Sequence, residues 1–486
     1  SLGTGIAELP VTGSYANAMD QLSGQEIEEN RFASFYGALD YSLFDRYVLN
    51  VSFRTDGSNN FGSDEQFNPT WSAGAVWHVS EETFMEVVRP VLSRLSLRVA
   101  TGYTGNINKT VKPNLMMKYY KNFRISDDEN YRMGYINNAP NPKLRWEKTR
   151  DVKVALDFGL WKDRINGIVE AYWRKSKDCV TSEYVPVTTG FFNQSYNTSV
   201  LQNNGVEFSL SVAVLKSKDY NLSVSANVAW NQNKLKKYNS PNTSLALDKY
   251  VGYPMGAVFS GKYEGIDPET GMYKFKLRPD AVTNKDGYLR EPNNYYYYLG
   301  TSVAPFTGGF NLNFSYKNIG LSVGGSYSVK AKMVDNIESP AGYELLSGSK
   351  LESIPTPHND LYRNHLNVKR EVRNRWTPEN RTGVKYPRLI DAYGKKLGLD
   401  LTNPTLTTIT RGALLEDISY LRINTIALSY SLPQRVLERI NFSSAALNLT
   451  LNNFFTITKY SGIDPEVPGA TYPVSRSVTI GLNVGF

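Results

Sequence analysis

A single cysteine, Cys179, occurs in 486 residues, so neither an intramolecular disulfide framework nor a thiolate zinc cluster can hold the fold. The three histidines, His78, His358 and His365, lack the spacing of metal ligands. No Gly-x-Ser-x-Gly elbow supplies a hydrolase nucleophile. No apolar run approaches the ~18–20 uncharged residues of a membrane-crossing helix, and mean hydropathy is −0.39. That excludes a helical membrane protein. It leaves a β-barrel open, because lipid-facing residues of a barrel strand are interleaved with polar ones. Long runs of one charge sign are missing as well. Lys plus Arg exceed Asp plus Glu by 54 to 46, a formal charge of +8, and the basic residues are scattered. No nucleic-acid partner is expected.

Tyrosine is plentiful: 33 Tyr against 21 Phe and 7 Trp. It joins an apolar ring to a hydroxyl, which suits membrane interfaces and carbohydrate-stacking surfaces. The last strand shows where such rings could belong. Val478, Ile480, Leu482, Val484 and Phe486 fall on one face, with Thr479, Gly481, Asn483 and Gly485 on the other. A period of two is a β-strand, since successive side chains leave opposite faces of the pleat. An apolar face that continues to a terminal Phe fits a strand that meets lipid. Taken alone, the segment fits an ordinary sandwich strand equally well, and the rest of the chain must decide.

The same alternation predicts strands at 31–43, 46–55, 71–79, 94–103, 147–160, 164–174, 206–215, 220–231, 306–316, 321–332, 418–432, 443–456 and 475–486. Two weaker ones fall at 252–263 and 272–276. Short connections lie near 45, 161–163, 216–219, 264–271 and 317–320, and two medium ones, 80–93 and 433–442, read as briefly helical. Long polar stretches occupy 56–70, 104–146, 175–205, 232–251, 277–305, 331–417 and 457–474. Short and long alternate along the chain. The fold expected is therefore all-β: a transmembrane antiparallel up-and-down β-barrel with short periplasmic turns and long extracellular loops. Residues 1–30, Gly/Ser-rich and weakly patterned, read as a loop or linker, and 31–486 as barrel. Fifteen strands cannot close an antiparallel barrel without a parallel seam. The expectation is part of a barrel of about 22 strands, the size that carries a plugged lumen, with its first strands upstream.

Residues 256–263 come close to a phosphate-cradling loop, but Tyr263 stands where Ser or Thr would hold Mg²⁺ and no helix follows. No cofactor is expected. The carboxylate pairs Glu264 with Asp267 and Asp64 with Glu65 could bind Ca²⁺ or act as a glycosidase acid and nucleophile. Asp267-Pro268-Glu269-Thr270-Gly271 reads first as turn chemistry, leaving Glu264 and Asp267 as secondary calcium candidates. Enzymatic activity is not expected. Ligand contact is expected from loop aromatics: Tyr295, Tyr296, Tyr297 and Tyr298, with Phe191, Phe192 and Trp376. Their ring faces can stack on sugars while neighbouring amides satisfy hydroxyls. The competing reading is that they pack loop on loop or bind a protein partner.

Several stretches resemble the C-terminal barrel half of SusC-like TonB-dependent outer-membrane transporters of Bacteroidota. Among them are Arg54-Thr55-Asp56-Gly57-Ser58-Asn59-Asn60-Phe61-Gly62, Asn141-Pro142-Lys143-Leu144-Arg145-Trp146-Glu147 and Gly252-Tyr253-Pro254-Met255-Gly256. Others are Asn374-Arg375-Trp376-Thr377-Pro378, Leu415-Glu416-Asp417-Ile418-Ser419-Tyr420-Leu421-Arg422, and the closing Gly481-Leu482-Asn483-Val484-Gly485-Phe486. They keep this order from about residue 31 to the end. The resemblance implies a location in the Gram-negative outer membrane and a trimmed chain, with the plug and the TonB-contacting segment upstream of Ser1. It further implies a SusD-like surface lipoprotein as lid, TonB as energy-transmitting partner, and oligosaccharide or peptide as cargo. Two other readings compete: a passive porin or structural surface barrel without energy coupling, and a soluble all-β glycan-binding protein.

Overall fold

The computed structural model describes residues 31–106, 116–126, 129–191, 193–238, 250–269, 271, 273–281, 295–334, 373–384, 411–439, 441–468 and 472–486. The expected linker at 1–30 lies outside them. One antiparallel sheet of thirteen strands dominates, each strand hydrogen-bonded to the next wall strand along the chain. Its first half is β1 (Phe32–Leu43), β2 (Tyr47–Ser58), β3 (Phe67–His78), β4 (Leu92–Asn106), β7 (Glu147–Leu160), β8 (Ile165–Tyr184) and β9 (Asn193–Lys216). The second half is β10 (Tyr220–Tyr238), β15 (Phe306–Tyr316), β16 (Ile319–Val329), β19 (Tyr420–Ser431), β20 (Ser444–Thr458) and β21 (Ser477–Gly485). Four small two-stranded sheets stand in the long connections. They pair β5 (Met116–Ser126) with β6 (Glu129–Asn138), β11 (Ala257–Gly261) with β14 (Tyr296–Thr301), β12 (Tyr263–Ile266) with β13 (Tyr273–Phe275), and β17 (Lys332–Val334) with β18 (Leu415–Asp417).

Residues paired directly across strands share a face, so the register assigns the two surfaces of the wall. Val478, Ile480 and Leu482 sit opposite Leu451, Leu449 and Leu447, which continue into Ile426, Leu428 and Tyr430 and then Val323, Leu321 and Ile319. This is the outer, apolar face. Ile480 and Leu482 stand exposed on it, at 73% and 66%. Aromatic rows bound it. Tyr220 pairs with Tyr316 at the short-turn end and Trp230 with Phe306 ten residues further on. Ten residues at about 3.4 Å, tilted by about 45°, span roughly 24 Å, close to the ~25 Å apolar band of an outer-membrane barrel. The thickness fits.

Tight turns at 44–46, 161–164, 217–219 and 317–318 share one side of the wall with the medium connections 79–91 and 432–443. The other side carries 107–146, 239–305, 330–419 and 459–476, with 59–66 and 185–192 shorter than the alternation predicts. The tight turns place side-chain-bearing residues in the left-handed region, with Trp161, Lys162 and Asp163 at φ of 50°, 57° and 60°. The 433–442 connection carries a short helix, α1 (Gln434–Arg439), and the 80–93 connection two 3₁₀ turns at its start.

Two expectations are corrected. The stretches 252–263 and 272–276 are not wall strands: they hold β11 and β13, of only five and three residues, whereas a spanning strand needs about 9–11. Among the described residues the wall has thirteen members, not fifteen. Conversely, 175–205 is not mainly loop, since β8 runs to Tyr184 and β9 begins at Asn193. These ends carry polar residues on both faces, so the alternation that marks a lipid-facing strand is missing there.

Candidate functional site

The long connections meet at one end of the wall, and packing among them builds the candidate site. At its foot, two of the stretches that carry the family resemblance lie against each other. Gly62 N–H donates to the Leu144 carbonyl at 2.9 Å, and the Phe61 and Trp146 rings stack with centroids 4.5 Å apart. A Cβ on Gly62 would come within 1.8 Å of the Pro142 carbonyl oxygen, so only glycine allows this approach. The next turn is anchored on β9: Arg145 N–H donates to Asn197 Oδ1, and Asn197 Nδ2 donates back to the Arg145 carbonyl. Arg145 also pairs with Asp178 at 2.6 Å.

Above this foot, residues 252–255 fold back on the wall. Asn233, on the same face of β10 as Asn227 and Asn231, accepts the Met255 N–H at 2.8 Å. Gly252 N–H donates to the Leu235 carbonyl, and Leu235 N–H to the Tyr253 carbonyl. The β11–β14 hairpin follows. The 3₁₀ turn Arg411–Leu414 lies flush on β11, since a Cβ on Gly412 would meet the Gly261 carbonyl oxygen at 1.8 Å. Tyr298, exposed at 41%, tilts against Tyr253 with ring centroids 4.9 Å apart, and Phe259 packs edge-on to Tyr253 at the same distance. Tyr250 closes the cluster, 5.1 Å from Phe259.

The other expected aromatics divide between packing and exposure. Tyr295 and Tyr296 are half-buried, the latter paired with Gly261. Tyr297 donates its hydroxyl to the Leu277 carbonyl at 2.8 Å. Trp376 is buried, its indole N–H donating to the Pro268 carbonyl at 2.9 Å. Phe191 is half-buried beside the turn between β8 and β9, and Phe192 lies outside the described residues. Among the four tyrosines, Tyr298 joins an open aromatic cluster, while Tyr296 pairs with β11 and Tyr297 reaches the Leu277 carbonyl. Asp267 accepts the Glu269 N–H on its side chain and the Gly271 N–H on its backbone carbonyl, the geometry of a turn, and Glu264 is exposed. Among the described residues no three His, Cys, Asp or Glu side chains gather to hold a metal.

A charged cluster that sequence reasoning missed ties the last long loop to the wall. Arg422, 3% exposed on β19, holds Asp464 at 2.5 Å and Glu466 at 2.8 Å. Burial alone would raise the Asp464 pKa. The backbone N–H groups of Glu466 and Val474, together with the Arg422 guanidinium, outweigh it and keep the carboxyl below its usual range. A signal was available: Arg422 is the only Asp, Glu, Lys or Arg in β19.

Known proteins share this arrangement of strands. The family described as TonB dependent receptor-like, beta-barrel matches residues 7–327. TonB-dependent receptor P26 of Formosa agariphila is 26% identical over 498 residues, covering 94% of this chain and 46% of its own. TonB-dependent receptor SusC of Bacteroides thetaiotaomicron is 27% identical over 488 residues, covering 94% and 44%. The solved RagAB peptide transporter superposes with a TM-score of 0.75 at 26% identity, over 94% of this chain and 48% of that one. The chain thus spans about half the length of the curated relatives it matches. It belongs to the TonB-dependent receptor-like β-barrel family.

Proposed function

We propose that this chain forms the larger part of the wall, and the loop-built mouth, of an energised outer-membrane importer for glycans or peptides. It supplies thirteen strands of a barrel of about 22. A SusD-like surface lipoprotein covers the long-loop face, and TonB engages parts of the transporter other than this wall. The observation that carries the reading is similarity over 94% of the chain to both SusC and the RagAB peptide transporter. The family comprises receptors and transporters, not enzymes. The physical logic agrees: the outer membrane has no nucleotide supply, so driving a large cargo past a plug requires energy transmitted from the inner membrane.

Within the mouth, the exposed faces of Tyr298 and Tyr253 are the groups offered to cargo, since stacking needs an open ring face. Tyr295, Tyr296, Tyr297 and Trp376 shape the loops that present them. The test is made on the transporter purified from its native outer membrane and assayed in cells. The expected outcome is a co-purifying surface lipoprotein, with uptake of labelled oligosaccharide or peptide abolished when the inner-membrane proton gradient is collapsed. Steady ion conductance in planar bilayers without energy, and no lipoprotein, would replace this reading by a passive pore.

A further inference from the structure

The inner face of the wall is not uniform. On β4, β7 and β8 it carries interlocked charges: Arg98 with Asp157 at 2.6 Å, Lys153 with Glu170 at 3.5 Å and Arg174 with Asp151 at 2.8 Å. The register puts all six on one surface, opposite in direction to Leu97, Val154 and Val169. From β10 onward the charges stop. No Asp, Glu, Lys or Arg occurs in β15, β16, β20 or β21, none in β10 before Lys234, and β19 has only Arg422 near the mouth. In their place the inner face carries Ser, Asn, Thr and Gly.

These groups form neutral rungs. Ser322 donates to Asn313 at 2.8 Å, Thr425 to Asn452 at 3.2 Å, and Asn452 to Ser477 at 3.0 Å. The relief also dips where charge gives way. A recess of about 320 Å³ opens at this boundary, with Arg94 and Asn166 at its charged edge and Ser211, Ser225, Asn227 and Asn311 on its neutral side. Small side chains leave width there.

We propose that cargo crosses the barrel along the neutral inner face of β10 to β21, not along the charged face of β4 to β8, and that it is an uncharged, hydroxyl-bearing oligomer. This rests on the import reading above. Passage requires contacts favourable enough to enter and weak enough to leave. Hydroxyls and amides exchange hydrogen bonds with a sugar as readily as with water, so each step along the rungs costs little. A neutral cargo sliding over Arg98, Asp157 or Lys153 must strip water from fixed charges and return no charge in exchange. A charged cargo on the neutral side has the same problem reversed.

The test uses the full-length transporter in its native outer membrane and reads initial uptake of labelled neutral oligosaccharides. Ser225→Glu and Asn311→Glu are each expected to lower uptake about fivefold or more with cargo affinity at the mouth unchanged, while Ser225→Gln and Asn311→Gln stay within about twofold. Neutralising the other side with Arg98→Gln plus Asp157→Asn is expected to leave uptake within about twofold. A second readout covers variants that fail to assemble. In a Cys179→Ser background, Asn311→Cys is labelled faster by a membrane-impermeant thiol reagent during transport, and Lys153→Cys is not. A wild-type transporter that imports none of these cargoes brings down both readings. A wild type that imports, with uptake indifferent to Ser225→Glu and Asn311→Glu, or with Lys153→Cys the responsive position, overturns this inference alone. So does preferential uptake of uronate-bearing oligosaccharides or charged peptides.

Discussion

Asp464 and Arg422 show how one buried pair can fix a whole loop. Arg422 is paired on both terminal nitrogens, while its Nε lies buried without a hydrogen-bond partner. Removing the Asp464 charge would leave the guanidinium still less satisfied, and breaking a buried pair costs about 3–5 kcal/mol. Asp464→Asn is therefore expected to release residues 459–468 at neutral pH, seen as amide hydrogen exchange faster by a factor of about 100 or more. The wild-type loop has a defined pH dependence. The Asp464 pKa is lower in the folded protein than in the unfolded chain, so its stabilisation is fully present above the ordinary carboxylate range. It is lost as pH falls through the depressed folded value. Exchange in this loop should stay slow from neutral into mild acid and accelerate only in stronger acid. A loop equally protected in Asp464→Asn would remove the pair from the account.

Among the elements, β21 gives the clearest test of which face meets lipid. Its residue Ile480 continues an apolar row through Leu449, Leu428 and Leu321. Arg at the bilayer midplane of a barrel strand costs about 2–4 kcal/mol. In the full-length transporter, Ile480→Arg is expected to lower folding free energy by about that amount in urea titrations with lipid vesicles. Thr479→Arg on the opposite face should stay within about 0.5 kcal/mol. Equal losses at the two positions would mean both faces share one environment, as in a soluble sandwich. The strand ends carry the complementary lesson. Beyond the membrane band, β8 and β9 have water or loop on both sides, and neither face needs to be apolar there.

For the whole molecule, parity decides closure. β1 and β21 both run from the long-loop end to the short-turn end, because thirteen antiparallel strands separate into an odd alternation. Joining these edges directly would make a parallel seam. Antiparallel closure needs an odd number of further strands. The 486-residue chain refolded alone in detergent is thus expected to self-associate through β1 and β21, the sheet edges among the described residues. Light scattering on the detergent complex should report dimers or larger species. A stable monomer with single-channel conductance would show that this wall closes on itself.

Much of this is legible in the amino-acid sequence. Alternation located all thirteen wall strands, since lipid outside and water inside force a period of two wherever a strand crosses the membrane. The order of short and long connections gave the sidedness. Illegible were the two false wall strands, whose alternation was too brief to cross a bilayer, and the polar extensions of β8, β9 and β10. Also hidden was the meeting of Phe61 and Gly62 with Leu144 and Trp146, which no local pattern encodes. The loop tyrosines divided in a way that composition could not foresee: Tyr297 went to a backbone carbonyl and Tyr298 to an open aromatic cluster. The sequence alone determined the wall, its two faces and its direction, because solvent on each side acts on every residue independently of its distant neighbours. The tertiary structure alone decided which loops close on which, and which aromatic rings keep an open face, because those outcomes depend on contacts between residues far apart in the chain.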